Sequence, residues 1–326
     1  MTALPGPRTR LAPTPSGALH AGNAFSFLAA WLRARGAGGS VVLRIEDVDL
    51  ARARSDLVAA IFGDLEWLGL DWDQGPAGPG DGESIHRQSS GNRQERYRAV
   101  WIDWMDRDLL YPCRCTRAEL RSDAPQAERI GEEASTSTAY PGRCRNRSPT
   151  DAGTRDSWRM RLPPVPSEFF DEQRGIQRLA SLDALGDPVL RRGDGIFAYH
   201  LAVCVDDADQ GVDLVVRGRD LLPFSHLHIH LHRLLGKSPP LYIHHPLLGD
   251  AEGNRLAKRA GSNSLSAMRE AGIDSRFLVG RLAPILYPDA GLDGSPLRPC
   301  DLLPLGRPRP GIQDMVCPDL PRGAHA

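Results

Sequence analysis

The first fifty residues alternate between strand-like and helix-like segments. RTRLAPT (8–14) and SVVLRIED (40–47) are typical of short β-strands, and LHAGNAFSFLAAWLRARG (19–36) between them has helical spacing and stops at Gly36. A helix that connects two neighbouring strands in this way places them parallel in one sheet. The unit therefore predicts an α/β protein built on a parallel sheet.

Later segments continue this alternation. The periodicity predicts helices at 57–70, 92–110 and 222–236, and strands at 211–222 and 241–250. Residues 111–157 are rich in Ser, Thr, Pro and Arg around paired cysteines, which indicates a small insertion that no core of its own holds together. One helical stretch, 264–286, precedes a Pro-rich segment from residue 288 that we expect to be loosely ordered.

Composition narrows the class of protein. A chain of 326 residues is long enough for about two domains, and 40 Lys+Arg against 41 Asp+Glu give no net charge that would indicate nucleic acid or membrane as a partner. The N-terminus has no signal-peptide core, and no apolar run approaches the roughly 20 residues that a bilayer requires. We therefore expect a cytoplasmic protein. The six cysteines are scattered or too close to pair, which favours free thiols or metal ligands over disulfides.

The first strand leads into a turn rich in proline and glycine, RLAPTPSGALHAGN (10–23). His20 and Asn23 fall in the first turn of the following helix, where unpaired backbone N–H groups favour phosphate, and the backbone of Gly22 permits close approach. The alternative is an ordinary helix N-cap with a surface histidine. The four-residue pattern alone leaves both interpretations open.

A second segment, NRLAKRAGS (254–262), places Lys258 in a polar loop that ends in glycine. The chain has only two lysines, Lys237 and Lys258, and a mobile ammonium in such a loop can reach separating phosphates. HAGN and RLAKR together resemble the HIGH and KMSKS signatures of class I aminoacyl-tRNA synthetases. Asn23, Arg255 and Ala257 stand where the signatures have His, Lys and Ser.

Four further segments, RLAPTPSG, LRIEDVD, YHLAVCVDD and VVRGRDLL, extend the resemblance to the glutamyl branch of that family over about residues 8 to 285. The resemblance implies an L-glutamate pocket formed by Arg10, Leu11, Ala12, Pro13, Thr14, Glu46, Tyr199 and Arg217. It implies an ATP site formed by His20, Gly22, Asn23 and Lys258, of which His20 and Lys258 would be catalytic.

The chemistry of glutamate agrees with this pocket. Two carboxylates suit the two guanidinium groups of Arg10 and Arg217, with bidentate geometry available, while Glu46 can take the ammonium and Tyr199 adds a hydroxyl. Taken singly, each residue has an ordinary alternative. Arginines at strand ends are usually solvated, and IEDVD could be an acidic loop or a site for a hard metal ion.

The insertion contains three thiols and a phenol in two short motifs, CRC (113–115) and YPGRC (140–144). Cys113, Cys115, Tyr140 and Cys144 could close a tetrahedral zinc site, although reduced surface thiols are the alternative from spacing alone. The pattern resembles the zinc-bearing acceptor-stem insertion of compact glutamyl-tRNA synthetase paralogues. The resemblance implies one structural Zn²⁺ per chain, because no ligand position stays open for a substrate.

A second metal site is not expected in HLHIHLH (226–232). Residues two apart on a helix point in nearly opposite directions, so only His226 with His230 or His228 with His232 could share a face. No acidic or cysteine residue accompanies them nearby, and we expect a structural role on a surface helix.

The resemblance thus implies a Rossmann-type class I aminoacyl-tRNA synthetase catalytic domain with a zinc-binding insertion and a short helical C-terminal region. The expected divisions are 1–110 for the first half of the catalytic domain, 111–157 for the insertion, 158–260 for the rest of the insertion and the second half with the KMSKS-like loop, 261–287 for the helical region and 288–326 for the Pro-rich tail. After the KMSKS-like loop, we expect no room for a folded anticodon-binding domain.

The implied reaction is activation of L-glutamate by ATP with Mg²⁺, followed by transfer to the queuosine base in the anticodon of tRNA(Asp). Arginines such as Arg143, Arg145 and Arg147 would contact the RNA phosphates, and we expect a monomer. Three alternatives stay open at this point. They are a truncated synthetase that charges a tRNA 3′ end, a nucleotidyltransferase of the HxGH type, and a noncatalytic RNA-binding zinc module.

Overall fold

A computed structural model describes residues 6–116, 118–120, 140–249, 264–311 and 313–316. Its helices are α1 (Ala21–Arg35), α2 (Ser55–Leu68), α3 (Gly91–Asp106), α4 (Tyr199–Asp209), α5 (Leu222–Leu234), α6 (Leu265–Glu270) and α7 (Ser275–Leu286). Its strands are β1 (Arg8–Leu11), β2 (Ser40–Leu43), β3 (Leu110–Cys113), β4 (Ser157–Met160), β5 (Ser167–Asp171), β6 (Gly175–Leu179), β7 (Val189–Arg191), β8 (Leu214–Gly218), β9 (Leu241–His245), β10 (Leu248–Gly249) and β11 (Met315–Val316).

The N-terminal unit has the predicted βαβ form. Strands β1 and β2 pair in parallel, from Arg8 opposite Ser40 to Leu11 opposite Leu43, and α1 connects them. Strand β8 runs beside β1, since the Asp213 N–H donates to the Arg8 carbonyl at 3.0 Å. The α/β fold with parallel strands expected from the sequence is thereby confirmed.

The second half of the chain completes this layer. Strands β8, β9 and β5 are parallel neighbours, and β6 closes the edge as an antiparallel partner of β5. Because parallel strands end at a common edge, the segments that follow β1, β2 and β8 meet at their carboxyl ends. In α/β sheets this edge is where ligands bind.

Two apolar cores support the sheet. The first packs α1, α2 and α7 against β1, β2 and β8, with Phe25, Leu65 and Leu282 almost fully buried. The second contains α3, α4 and α5, and includes Trp104 and Leu201. The helix α5, expected on the surface, therefore has most of its length buried, because one face packs into the second core.

The insertion is more regular than its composition suggests. Strands β3, β4 and β7 form a three-stranded antiparallel sheet. Leu110, Trp158 and Met160, which lie just outside the expected insertion 111–157, pack into the second core. The buried cluster described within 111–157 consists of Tyr111, Cys113, Tyr140 and Cys144, and the absence of an apolar core of its own stays a prediction.

The C-terminal region departs from the expectation at two places. The single helical stretch 264–286 is divided into α6 and α7, because Gly272 takes a left-handed φ of +72° and Asp274 caps α7 through the Arg276 N–H. Residues 288–311, expected to be loosely ordered, contain two short 3₁₀ helices, Pro288–Ala290 and Pro299–Leu305. Leu302 packs into the first core, and the Tyr287 hydroxyl donates to the Gly306 carbonyl at 2.9 Å. Apolar side chains between the prolines give this segment a surface to bury.

Across the described ranges, no helix combines the length and the apolar character needed to cross a bilayer.

Candidate active site

The turn between β1 and α1 has His20 at the helix N-cap. Its Nδ1 accepts a hydrogen bond from the Gly22 N–H at 3.1 Å, and the Asn23 Oδ1 accepts one from the His20 N–H at 3.0 Å. A Cβ on Gly22 would lie 2.9 Å from the His20 ring, so a side chain there would displace the imidazole. The capping interpretation of this histidine is therefore correct as local structure.

The cap also determines what His20 can do for a ligand. Since Nδ1 accepts from a backbone N–H, a neutral imidazole carries its proton on Nε2. Burial lowers the pKa of His20, which favours this neutral form. The result is a single N–H donor beside the N-terminus of α1, where the helix dipole favours an anion. The capping and phosphate-binding interpretations are thus compatible.

The residues that directly follow the second signature contact the first. Ser264 forms a bridge with His20, and the Leu265 N–H donates to the Leu19 carbonyl at 2.8 Å. Lys258, together with Arg255 and Ala257, lies outside the described residues. The structure therefore gives the point at which the chain returns to His20, and gives no position for the lysine.

Of the expected glutamate pocket, Arg10 and Glu46 are connected through a buried ion-pair network. Arg44 is fully buried and contacts Glu46 at 3.1 Å and Asp207 at 2.7 Å, and Asp207 lies 3.5 Å from the Nε of Arg10. Burial raises the pKa of Glu46, whereas Arg44 and Arg10 outweigh burial at Asp207 and lower its pKa. Sequence analysis did not single out Arg44 or Asp207, although each lies in a segment that carried the resemblance, LRIEDVD or YHLAVCVDD.

Arg217, at the end of β8, is held by neutral groups. Its Nε donates to His244 at 3.1 Å, one terminal nitrogen donates to His228 at 3.0 Å, and the other donates to Ser225 at 2.8 Å and to the Leu221 carbonyl at 3.3 Å. A guanidinium has five N–H groups, so this arrangement leaves one for a substrate. The bidentate contact expected of Arg217 is therefore not available in this conformation, because the protein already uses the paired donors.

Tyr199 lies near Glu46, Arg217 and Arg10. Burial raises the pKa of Tyr199 to about 12, and the charges of these three residues also shift this pKa. The fold thus brings together the four residues Arg10, Glu46, Tyr199 and Arg217. A cavity of about 680 Å³ opens beside them, and Thr14, Glu46 and Tyr199 line it.

The other expected pocket residues follow β1. The carbonyl of Leu11 accepts from the Arg44 N–H and that of Pro13 from the Glu46 N–H, both at 2.9 Å. These bonds extend the pairing of the two strands and hold Glu46 at the cavity. Ala12 lies between them and is half-buried.

The remaining acidic residues of IEDVD do not converge on one cation site. Asp47 binds Arg87 and Ser89, and Asp49 binds Arg192 at 2.6 Å. Each carboxylate has its own protein partner. The alternative of a hard-metal site in this segment therefore finds no support in the geometry.

Three thiols and a phenol from two separate parts of the insertion converge. The Sγ atoms of Cys113, Cys115 and Cys144 lie within 4.8 Å of one another. The Tyr140 hydroxyl lies 3.3 Å from Cys113 and 3.6 Å from Cys115, and it accepts from the Cys144 N–H at 2.8 Å. The cysteine triad could hold a metal ion, and three sulfur ligands with one oxygen suit tetrahedral zinc.

The pKa values of two of these thiols, Cys115 and Cys144, are shifted in opposite directions. Burial raises the pKa of Cys115 to about 11. Burial also acts on Cys144, but hydrogen bonds from the Arg114 backbone and the Tyr140 hydroxyl outweigh it and lower the pKa of Cys144 to about 7. Cys144 thus deprotonates more readily than Cys115, and the thiolate is the form that binds metals.

Two of the arginines expected to contact RNA phosphates hold the insertion together. Arg145 pairs with Asp187, and Arg147 pairs with Asp156 at 2.8 Å. Arg143 is exposed. Sequence analysis missed a different set of arginines, which the fold collects around the cavity: Arg52, Arg114, Arg155, Arg159 and Arg192. They come from separate segments, so no local cluster in the sequence indicates them.

The fold and this site define a class I synthetase catalytic domain. The chain belongs to the class I tRNA synthetases for glutamate and glutamine, because the pattern described as "tRNA synthetases class I (E and Q), catalytic domain" matches residues 7–291. It is a ligase-type enzyme.

Two relatives that share one name match the chain over most of its length. The chain is 43% identical to the Glutamyl-Q tRNA(Asp) synthetase of Nitratidesulfovibrio vulgaris, over 86% of this chain and 87% of the relative. It is 44% identical to the protein of the same name from Symbiobacterium thermophilum, over 91% of each. The Glutamate–tRNA ligase 2 of Syntrophus aciditrophicus is 36% identical, over 85% of this chain and 57% of the relative.

Among solved structures, the glutamate-tRNA synthetase of Elizabethkingia anophelis superimposes with a TM-score of 0.76 at 26% identity. The match covers 94% of this chain and 68% of that structure. The similarity supports the class I catalytic fold described above.

Proposed function

We propose that this enzyme activates L-glutamate with ATP to glutamyl-adenylate and transfers the glutamyl group to the queuosine base in the anticodon of tRNA(Asp). The observation that carries the proposal is the identity of 43% and 44% to two relatives named for this activity. Both the higher identity and the larger shared portion favour these relatives over the glutamate–tRNA ligase, at 36%.

The pocket supports glutamate as the amino acid. Glu46 would accept the α-ammonium, and Arg10 would bind a carboxylate with donors that its contacts to Asp207 and the Val216 carbonyl leave available. Arg217 would supply a positive charge and one N–H to the other carboxylate. Tyr199 would add a hydroxyl donor at the cavity wall.

In the activation step, an oxygen of the glutamate α-carboxylate would attack the α-phosphorus of ATP, and the bond to pyrophosphate would break. The Nε2–H of His20 would donate to the phosphate oxygens, where charge develops. Mg²⁺ bound with ATP would screen the phosphate charges. The chain needs no nucleophile of its own, because orientation and charge stabilisation suffice for this class of step.

Lys258 is the proposed second catalytic group. It precedes Ser264, the bridge partner of His20, by six positions, and an extended chain of that length spans at most ~20 Å. This short connection to the bridge partner of His20 would let the Lys258 ammonium approach the leaving pyrophosphate. Gly22 and Asn23 would complete the ATP site at the N-terminus of α1.

The position of the label on the RNA tests the transfer. We expect radiolabelled glutamate to attach to tRNA(Asp) that carries queuosine and not to the unmodified transcript. Ribonuclease digestion under mildly acidic conditions, which spare the ester, should leave the label on the anticodon-loop fragment. Glutamate-dependent exchange of pyrophosphate into ATP, measured without RNA, serves as the control for activation. Label on the 3′-terminal adenosine fragment would instead identify a synthetase that charges a tRNA end.

We further propose that Cys113, Cys115, Tyr140 and Cys144 hold one structural zinc ion. Cys144→Ser should lower the zinc content from about one per chain to a small fraction, because it removes one of three thiolates. The catalytic core should still unfold cooperatively, since its own apolar clusters support it. Cys300→Ser, at an exposed thiol away from the cluster, is the matched control and should keep the metal. Elemental analysis that finds zinc at full occupancy in Cys144→Ser would refute the site.

A further inference from the structure

Arg217 is a buried cation whose hydrogen-bond partners all lack negative charge. The side chain is only 5% exposed, and its donors go to His228, His244, Ser225 and a carbonyl. The face of its guanidinium also lies 5.1 Å from the Tyr242 ring. Within the part of the chain that the structure describes, no carboxylate forms an ion pair with Arg217.

The direction of these hydrogen bonds determines the charge of both imidazoles. A guanidinium only donates, so the ring nitrogens that face Arg217 must be unprotonated acceptors. The Nδ1 of His244 lies 2.6 Å from Asp171, which holds the proton on that side of the ring. The Nε2 of His228 lies 2.9 Å from the Nδ1 of His200, and can donate its proton there. Both imidazoles are therefore neutral in this arrangement.

Unlike Arg217, the neighbouring Arg44 and Arg10 contact carboxylates of the protein. Arg44 contacts the carboxylates of Glu46 and Asp207, and Arg10 contacts Asp207. Their charges are compensated inside the protein. A buried charge without a counterion is costly, so the environment of Arg217 favours an anion supplied from outside the chain.

We propose that His228 and His244 are positioning residues that set the specificity of the amino-acid pocket for a carboxylate over a carboxamide. They orient Arg217 by accepting its donors, and because they are neutral they leave its positive charge for the substrate. The inference rests on the proposed glutamate activation and adds a reason for preferring glutamate to glutamine. With one N–H left on Arg217, the discrimination comes mainly from charge.

A matched pair of variants separates charge from shape. The Oδ1 of Asn or Asp takes about the place of the histidine Nδ1, so His228→Asn keeps a neutral acceptor for Arg217, whereas His228→Asp supplies an anion at the same place. We expect His228→Asn to raise the glutamate KM less than about 10-fold, and His228→Asp to raise it on the order of 100-fold. The ATP KM should stay within about 3-fold in both. Inhibition of the exchange by L-glutamine should be nearly equal in the two variants, so that only His228→Asp loses the preference for glutamate.

The readout is glutamate-dependent pyrophosphate exchange, with thermal unfolding to show that each variant is folded. If His228→Asp is not folded, His244→Gln and His244→Glu form the corresponding pair, because their side chains reach the position of Nε2. Equal glutamate KM values within a folded pair would refute the inference, as would equal losses for glutamate and ATP. A wild-type enzyme without exchange activity would instead refute the proposed function.

Discussion

Replacing Arg44 with methionine is expected to lower the free energy of unfolding by about 3–5 kcal/mol, because it leaves buried carboxylates without their counterion. Arg44 is fully buried and contacts Glu46, Asp206 and Asp207 at 3.1, 3.7 and 2.7 Å. These charges raise the pKa of the guanidinium despite its burial, so the group stays ionised. Urea unfolding at neutral pH measures the effect.

Arg96→Met is the matched control for this variant. Arg96 also pairs with an aspartate, Asp209, at 2.9 Å, but its side chain is 42% exposed. Water screens such a pair, and we expect the substitution to cost less than about 1 kcal/mol. If the two variants lost equal stability, Arg44 would not be compensating buried charge. A milder effect of Arg44→Lys than of Arg44→Met would support the electrostatic origin of the loss.

Lys258→Ala is expected to reduce glutamate-dependent pyrophosphate exchange by about 10²–10³-fold, the usual effect of removing one group that stabilises charge in a transition state. The loss should appear in kcat more than in the glutamate KM, because the ammonium would act on the phosphates as pyrophosphate leaves and not on the amino acid. The melting temperature should change little, because a loop lysine contributes little packing.

The chain offers a matched control in its other lysine. Lys237 is exposed after α5, and Lys237→Ala removes the same charge at a different place. We expect it to keep exchange activity within about 2-fold, as surface substitutions usually do. Full activity in Lys258→Ala would remove this lysine from the mechanism, and equal losses in the two variants would indicate a general effect of charge.

The sequence was most informative for elements whose structure depends on residues close together in the chain. The βαβ unit, α2 and α3 were predictable because their apolar periodicity extends over ten residues or more. His20 could be placed at the start of α1 from the turn that precedes it. The proximity of Cys113, Cys115 and Cys144 was predictable from two short motifs.

The prediction failed where a segment depends on distant neighbours. The Pro-rich residues 288–311 have little periodicity, yet Leu302 is buried in the first core. The insertion strands are four residues or fewer, too short to give a pattern, and they become stable because α3, α4 and α5 pack against them. Packing of this kind overrides the local preference of the segment.

By itself, the sequence determined the class of fold, the segments that form the site, and the residue types that suit glutamate and a metal ion. Only the tertiary structure decided which charges compensate one another. Arg44 and Asp207 lie 163 positions apart, and they meet because the tertiary fold packs the last turn of α4 against the residue that follows β2. Arg217 differs from Arg44 in its environment alone, since α5 and β9 bring neutral imidazoles to it. Local periodicity does not encode the order of strands. That order decides which charged and neutral side chains surround each buried charge.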